Sequence, residues 1–254
     1  MKLTGNTIFI TGGGSGIGRG LAEALHGLGN EVIISGRRKG HLDEVTKANP
    51  GMKSVELDIA SPESIKSVAA KLIAEYPKLN VVINNAGIFS VDTAEGVLDD
   101  EVLVSTVTTN VFGPLRMTSA LIEHLKGQDA AAVIYVTSGL AFTPLAMAAV
   151  YNSTKAAIHS YALSQRYKLK GTSVKVLEIA PPYVQTELGG DQQLNDPRAM
   201  PLKEFIDETI KVLGTDADEV LTERVKPLRN NVGPNEYEFV VKMNDMMTAA
   251  GHKS

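Results

Sequence analysis

The stretch Thr7-Ile8-Phe9-Ile10-Thr11-Gly12-Gly13-Gly14-Ser15-Gly16-Ile17-Gly18 decides how this chain folds. Thr7–Ile10 is an apolar, β-branched run without polar alternation, which suits a strand buried on both faces. A glycine turn follows, and then Gly18–Leu28, whose apolar residues fall on one helical stripe. A strand that runs through glycines into a helix presents free N–H groups and a positive dipole end to an anion. Gly12, Gly16 and Gly18 are spaced G-x-x-x-G-x-G, which fits the G-x-G-x-x-G fingerprint in no register. The physical effect is related, because residues without side chains let the turn bend sharply and let a diphosphate approach the backbone. Gly14, Ser15 and Ile17 complete the candidate phosphate-binding turn. No Lys-Ser/Thr pair follows the glycines, so a nucleoside-triphosphate loop of the Walker type is excluded. Taken alone, the turn is also compatible with a plain Gly-rich connection.

The same alternation continues outward. Glu31–Ser35, Ser54–Asp58, Val81–Asn84, Ala131–Thr137 and Val174–Ile179 read as further buried strands. Pro62–Tyr76 reads as a helix entered from the N-cap candidate Ser61. Asp100–Lys126 is long enough for two helices with Gly113-Pro114 at the irregularity, and Tyr151–Lys170 is amphipathic. This order predicts a single-domain α/β fold over residues 1–254, a doubly wound parallel sheet of the Rossmann type. Residues 189–200 read as a mobile lid and 235–250 as a C-terminal helical tail. In that tail Val240, Met243, Met246 and Met247 recur at helical spacing, as a core-packing stripe would.

Composition narrows the function. With 254 residues and 43% hydrophobic content, the chain can bury a substantial core. The absence of cysteine excludes disulfides, a thiol nucleophile and Cys-ligated metal. The five histidines, His26, His41, His124, His159 and His252, form no ligand motif, so no metal is expected. A net charge of -4 argues against a dedicated nucleic-acid binder. No run approaches the roughly 20 apolar residues of a membrane span, and Met1–Gly5 carries no apolar signal, so a cytoplasmic protein is expected.

Open parallel sheets bind ligands outside the C-terminal ends of their strands, and chemistry-bearing residues follow those ends here. After the second strand, Gly36 stands where an NAD-binding unit carries an acid, and Arg37 and Arg38 can pair with a 2′-phosphate. Asp58, followed by Ile59, can accept from an adenine amino group or simply cap its own loop. Tyr151 and Lys155, four apart, share a helix face. An ammonium beside a phenol lowers its pKa and makes it usable as an acid or base near neutrality. Ser138 ends the fifth strand, within plausible reach of such a Tyr.

Thr11–Gly18, Asn84-Asn85-Ala86-Gly87, Asn110, Ser138, Tyr151 with Lys155, and Pro181–Thr186 occur in order, and through them the chain resembles the short-chain dehydrogenase/reductase family from about Thr4 to Thr186. The resemblance implies that Tyr151 donates a proton to a carbonyl oxygen and Ser138 orients that oxygen. It implies that Lys155 lowers the Tyr151 pKa and holds nicotinamide-ribose hydroxyls, with Asn110 anchoring a water relay to it. Asn85, Ala86 and Gly87 would line the adenosine side, and Pro181, Val184, Thr186 and Ile88 the nicotinamide side. Two departures stand out. Pro182 replaces a usual glycine, and no seventh strand is legible before Gly233-Pro234. The sheet is therefore expected to lack that strand, which favours a homodimer over a tetramer.

The reading that results is an oxidoreductase transferring hydride between NADP(H) and a carbonyl or secondary alcohol of a small or medium, largely apolar substrate. Leu140, Phe142, Leu145, Tyr183 and Leu188 are the candidate substrate pocket. The alternatives are the same chemistry with NAD(H), or a dinucleotide-binding or sensing protein without turnover. A Ser138 hydrolase lacks the G-x-S-x-G elbow and an evident His partner.

Overall fold

The computed structural model describes residues 1–251; His252 lies outside them. The seven strands are β1 (Thr7–Thr11), β2 (Glu31–Gly36), β3 (Lys53–Glu56), β4 (Leu79–Asn84), β5 (Ala131–Val136), β6 (Val174–Ala180) and β7 (Glu219–Leu221). They form one parallel sheet in the order β3-β2-β1-β4-β5-β6-β7. The order reverses between β1 and β4, which opens a crevice above their C-terminal ends.

The helices are α1 (Gly16–Gly27), α2 (Lys39–Ala48), α3 (Pro62–Glu75), α4 (Asp100–Val107), α5 (Gly113–Lys126), α6 (Ala149–Lys168), α7 (Asp191–Asn195), α8 (Leu202–Leu213), α9 (Lys226–Arg229) and α10 (Glu236–Gly251). Successive strand residues point to opposite faces, so each strand feeds two cores. Ile8, Ile10, Val32, Ile34, Ile83 and Ile134 meet Leu21 and Leu25 of α1 and Phe205 of α8. Phe9, Ile33, Val82, Val133 and Tyr135 meet Leu72 of α3, Leu121 of α5 and Ile158 of α6. Among the described residues no helix is long and apolar enough to cross a membrane.

Two expectations are corrected here. A seventh strand is present: Glu219–Leu221 pairs with Glu178–Ala180 of β6. Only Val220 of its three residues is buried, so it carries no hydrophobic run to read. It lies upstream of Leu228–Asn231, the segment that leads into Gly233-Pro234, and the argument against a tetramer loses its basis. The methionine stripe of α10 is not core. Met243 and Met247 border the main cavity and Met246 is 56% exposed.

The break between α4 and α5 has a structural form. Thr108–Phe112 is a π-helical turn, and α5 starts at Gly113 with Pro114 in its first turn. A Cβ at Gly113 would come within 2.9 Å of the Ile59 carbonyl oxygen, so α5 rests directly on the loop after β3.

Gly18 is required by packing. A Cβ there would lie 2.2 Å from the Gly12 carbonyl oxygen, a backbone atom that cannot turn aside. At Gly27, in the same helix, a Cβ would meet nothing within 4 Å. Gly18→Ala should lower unfolding stability in urea by about 2 kcal/mol or more. Gly27→Ala should raise it by up to about 1 kcal/mol. Equal effects at the two positions would contradict the packing.

Candidate functional site

A cavity of about 1410 Å³ runs along the C-terminal ends of the strands, from Gly14 and Arg37 at one end to Tyr151 and Met243 at the other. It exceeds the roughly 300–1,000 Å³ of an ordinary ligand pocket, and so has room for a dinucleotide and a second molecule.

The phosphate end is built by a close approach of two backbones. Gly12 has φ +69°, and a Cβ there would lie 2.9 Å from the Ala86 Cα. The Thr11 hydroxyl oxygen accepts from the backbone N–H of Asn85 and of Ala86, each at 3.0 Å. The Asn85 side-chain amide donates to the carbonyls of Thr11 (3.0 Å) and Gly12 (3.2 Å). The N-cap of α1, Ser15, makes no side-chain capping bond, which leaves the first amides of the helix for an anion. Gly16, φ +52°, keeps the turn clear beside Thr186. These features fit a bound dinucleotide diphosphate.

Gly12, Gly14, Ser15, Gly16 and Ile17 line this part of the cavity. So do Arg37, Arg38, Asp58 and Ile59. Gly18 packs directly against the Gly12 carbonyl at the start of the turn. Arg37 and Arg38 are exposed, and the Arg38 guanidinium donates to the Ser15 hydroxyl at 3.3 Å. Gly36 has only Leu42 nearby, at 3.7 Å from a would-be Cβ, so the space of the usual carboxylate is open. Asp58 is exposed and caps its own loop by accepting from Ala60 N–H at 3.0 Å.

At the other end, Ser138, Tyr151 and Lys155 are all buried and face the same cavity. Strand β5 delivers Ser138, which caps the single turn Gly139–Ala141 by accepting from Leu140 N–H at 3.1 Å. Helix α6 delivers the other two residues. The Tyr151 ring packs edge-on against Phe89, 5.1 Å between centroids. Lys155 Nζ donates to the Val136 carbonyl at 2.9 Å and lies 5.5 Å from the Tyr151 ring centre.

The expected lowering of the Tyr151 pKa is reversed in this structure. Burial pushes the phenol up to about 12, against a smaller opposing pull from the Ser138 hydroxyl. Burial also pushes Lys155 down from 10.5 to about 8. Desolvation disfavours the charged form of each group and is the largest cause of both shifts.

Asn85, Ala86, Gly87, Ile88, Pro181, Val184 and Thr186 also line the cavity. Asn110 does not. It is buried, accepting from Ile88 N–H and donating to Ile88 C=O, both at 2.9 Å, and to the Thr154 hydroxyl at 3.3 Å. It approaches Lys155 across Gly87, where a Cβ would lie 3.2 Å from Asn110 Oδ1 and 3.8 Å from Lys155 Nζ.

Of the candidate substrate residues, Leu140, Leu145, Tyr183 and Leu188 border the cavity. Phe142 is buried against Ala180 and Val225, with the Arg229 guanidinium 4.8 Å over its ring. Residues 189–200 carry α7, and Gln193 donates to the Val184 carbonyl (2.7 Å) and the Thr186 hydroxyl (3.1 Å).

Several cavity residues escaped the sequence reading. His41 stands beside Gly14 at the arginine end, within a turn of Arg38. Met243 and Met247, four apart on one face of α10, supply an apolar wall. Another histidine falls in a cluster: donor atoms of His159, Glu178 and Glu219 lie within 4.8 Å of one another. The carboxylates there are already engaged, Glu178 by Thr137 and His159 and Glu219 by Arg229.

Comparison with known proteins agrees with this architecture. A family model described as short chain dehydrogenase matches residues 6–196. The chain is 40% identical to "Uncharacterized oxidoreductase DltE" of Bacillus subtilis over 248 residues, 96% of this chain and 98% of that protein. A short-chain dehydrogenase from Burkholderia cenocepacia, solved in complex with NADP, superposes with a TM-score of 0.83 at 27% identity, covering 95% of this chain and 98% of the other. A Streptomyces avermitilis short-chain dehydrogenase shares the fold, with a TM-score of 0.81 at 23% identity over 98% of this chain and 100% of that one.

The buried ammonium has a consequence for stability. An unfolded chain holds the Lys155 proton up to about pH 10.5, whereas the folded protein releases it near 8. Stability therefore rises with pH in that window, because the unfolded state binds more protons. Relative to Lys155→Met, the ligand-free parent should gain about 2 kcal/mol in urea unfolding between pH 7 and pH 9.5. Parallel pH profiles for the two proteins would contradict the burial of a titrating ammonium.

Proposed function

The chain belongs to the short-chain dehydrogenase family, and from that premise we propose that it transfers hydride between NADP(H) and a carbonyl or secondary alcohol of a small or medium, largely apolar substrate. The observation that carries this reading is the burial of Ser138, Tyr151 and Lys155 together at one end of a cavity whose other end is a glycine turn flanked by Arg37 and Arg38. The dinucleotide would be held by Gly12–Ile17, Asn85–Ile88 and Pro181–Thr186, and when bound it supplies the hydride donor or acceptor.

In this proposal the chain's own residues handle the proton. A Tyr151 phenol with a pKa near 12 is protonated at neutral pH, so it starts as a donor for reduction. Ser138, with its hydroxyl beside Tyr151, orients the carbonyl oxygen. Lys155 keeps its ammonium directed at the Val136 carbonyl and offers its remaining protons to ribose hydroxyls. Asn110 fixes Ile88 and borders Gly87 next to Lys155, which supports its place in a water relay. Leu140, Leu145 and Met243 exclude water from the reacting end. The segment 189–200 acts as a lid through α7. The same proposal takes the protein as cytoplasmic and as a homo-oligomer paired through its long helices, where Val104 and Leu163 are exposed apolar residues.

Two measurements test it. Tyr151→Phe removes the phenolic oxygen and keeps the ring, so kcat for ketone reduction should fall at least about a hundredfold. NADP affinity should stay within about threefold of the parent, and near-normal turnover would refute the proton-donor role. For cofactor choice, a charge-assisted contact worth about 1.5–3 kcal/mol predicts a ten- to hundredfold preference for NADP(H) in kcat/KM. The double change Gly36→Asp with Arg37→Ala should reverse it, because an acid then bonds the ribose hydroxyls and repels the 2′-phosphate. Equal kcat/KM for the two cofactors in the parent would mean that the arginines are merely solvated.

A further inference from the structure

Helix α6 carries Tyr151 in its first turn but begins without a cap of its own. Its N-cap is Ala148, which has no side-chain bond to give, and its first turn contains no acidic residue. The first N–H groups of a helix have no partner within it. Here the N–H of Val150, immediately before Tyr151, donates to Asp92 Oδ2 at 2.8 Å, from a residue 58 positions away. The backbone N–H of Asp92 in turn donates to the Met147 carbonyl at 3.0 Å. One residue of the loop after β4 thus grips both ends of the turn Met147–Val150 that leads into Tyr151. The same loop supplies Phe89, whose ring packs against that of Tyr151.

We propose that Asp92 is a positioning residue for Tyr151, acting through the start of α6. The proposal rests on the reading of Tyr151 as the proton donor. A carboxylate at a helix N-terminus also meets the positive end of the dipole. The arrangement is a poor choice for stability alone. Asp92 Oδ1 is buried with no hydrogen-bond partner in the protein. Violations of local rules of this kind concentrate at functional sites. Asp99, seven residues on, is the ordinary case: exposed, it caps its own helix α4 by accepting from Glu101 N–H (2.9 Å) and Val102 N–H (3.3 Å).

That pair provides the experiment. Asp92→Ala, Asp92→Asn and Asp99→Ala are made in the full chain. For each, kcat and KM are measured with NADPH and a ketone, and amide exchange is followed by mass spectrometry on peptides covering residues 146–155. Asp92→Ala should lower kcat about tenfold while KM for NADPH stays within twofold, since a small displacement of a reacting group is costly. Asp92→Asn, whose amide oxygen still accepts from Val150, should recover most of the rate. Asp99→Ala should leave kcat unchanged. Exchange at the start of α6 should quicken in Asp92→Ala and not in Asp99→Ala. An unchanged kcat in Asp92→Ala, an equal loss in Asp99→Ala, or no rescue by Asn would overturn the proposal. If the parent turns over no carbonyl, that failure belongs to the reading of Tyr151. Unchanged exchange at residues 146–155 in Asp92→Ala would then still overturn the grip of Asp92 on α6.

Discussion

The cleft depends on the contact between two backbones at Gly12 and Ala86. The would-be Cβ of Gly12 lies 2.9 Å from the Ala86 Cα, so any side chain there forces apart the turns after β1 and β4. Thr11 and Asn85 lock that contact with four hydrogen bonds from opposite sides. These are the two strands between which the sheet order reverses. Holding their ends together closes the floor of the crevice, aims the start of α1 along it and places Gly87 next to Asn110 and Lys155. The phosphate end and the reacting end are therefore one construction, joined through the loop that follows β4.

Electrostatics at the reacting end are set by exclusion of water. Burial holds Tyr151 and Lys155 each in an environment that favours its neutral form. A phenol that keeps its proton and an ammonium that gives one up easily form a donor and a relay poised by environment more than by mutual attraction. Elements that hold the two groups in place then matter as much as the groups themselves. The Val136 carbonyl accepts a hydrogen bond from Lys155, Phe89 backs the Tyr151 ring and Asp92 holds the turn before it.

Much of this was legible in the chain. The buried strands announced themselves as short β-branched runs because a doubly covered sheet needs no polar alternation. The glycine turn, Asn85, Ser138, Tyr151 and Lys155 could be placed on one rim because all follow strand ends or open a helix. Other features were hidden for physical reasons. Strand β7 buries one residue of three, too few for a pattern. Met243 and Met247 show the spacing of a helix face, and spacing alone does not say whether the facing volume is protein or cavity. Phe142 neighbours the site in sequence, yet the turn after Ser138 sends it towards Val225. Asp92 acts over 58 residues, and no local signal marks such a contact. The sign of the Tyr151 shift was missed because four-residue spacing reports a shared face and carries no information about desolvation.

The central claim is that this cleft transfers hydride and does not merely hold a nucleotide. It is tested most directly by incubating the protein with a panel of ketones and NADPH deuterated at one or the other C4 position of the nicotinamide. The alcohols formed are then analysed by mass spectrometry. The account predicts that a single orientation in the cavity delivers deuterium to the carbonyl carbon from one C4 position and not from the other. Tight NADPH binding with no label in any product would contradict it and leave the protein a nucleotide binder.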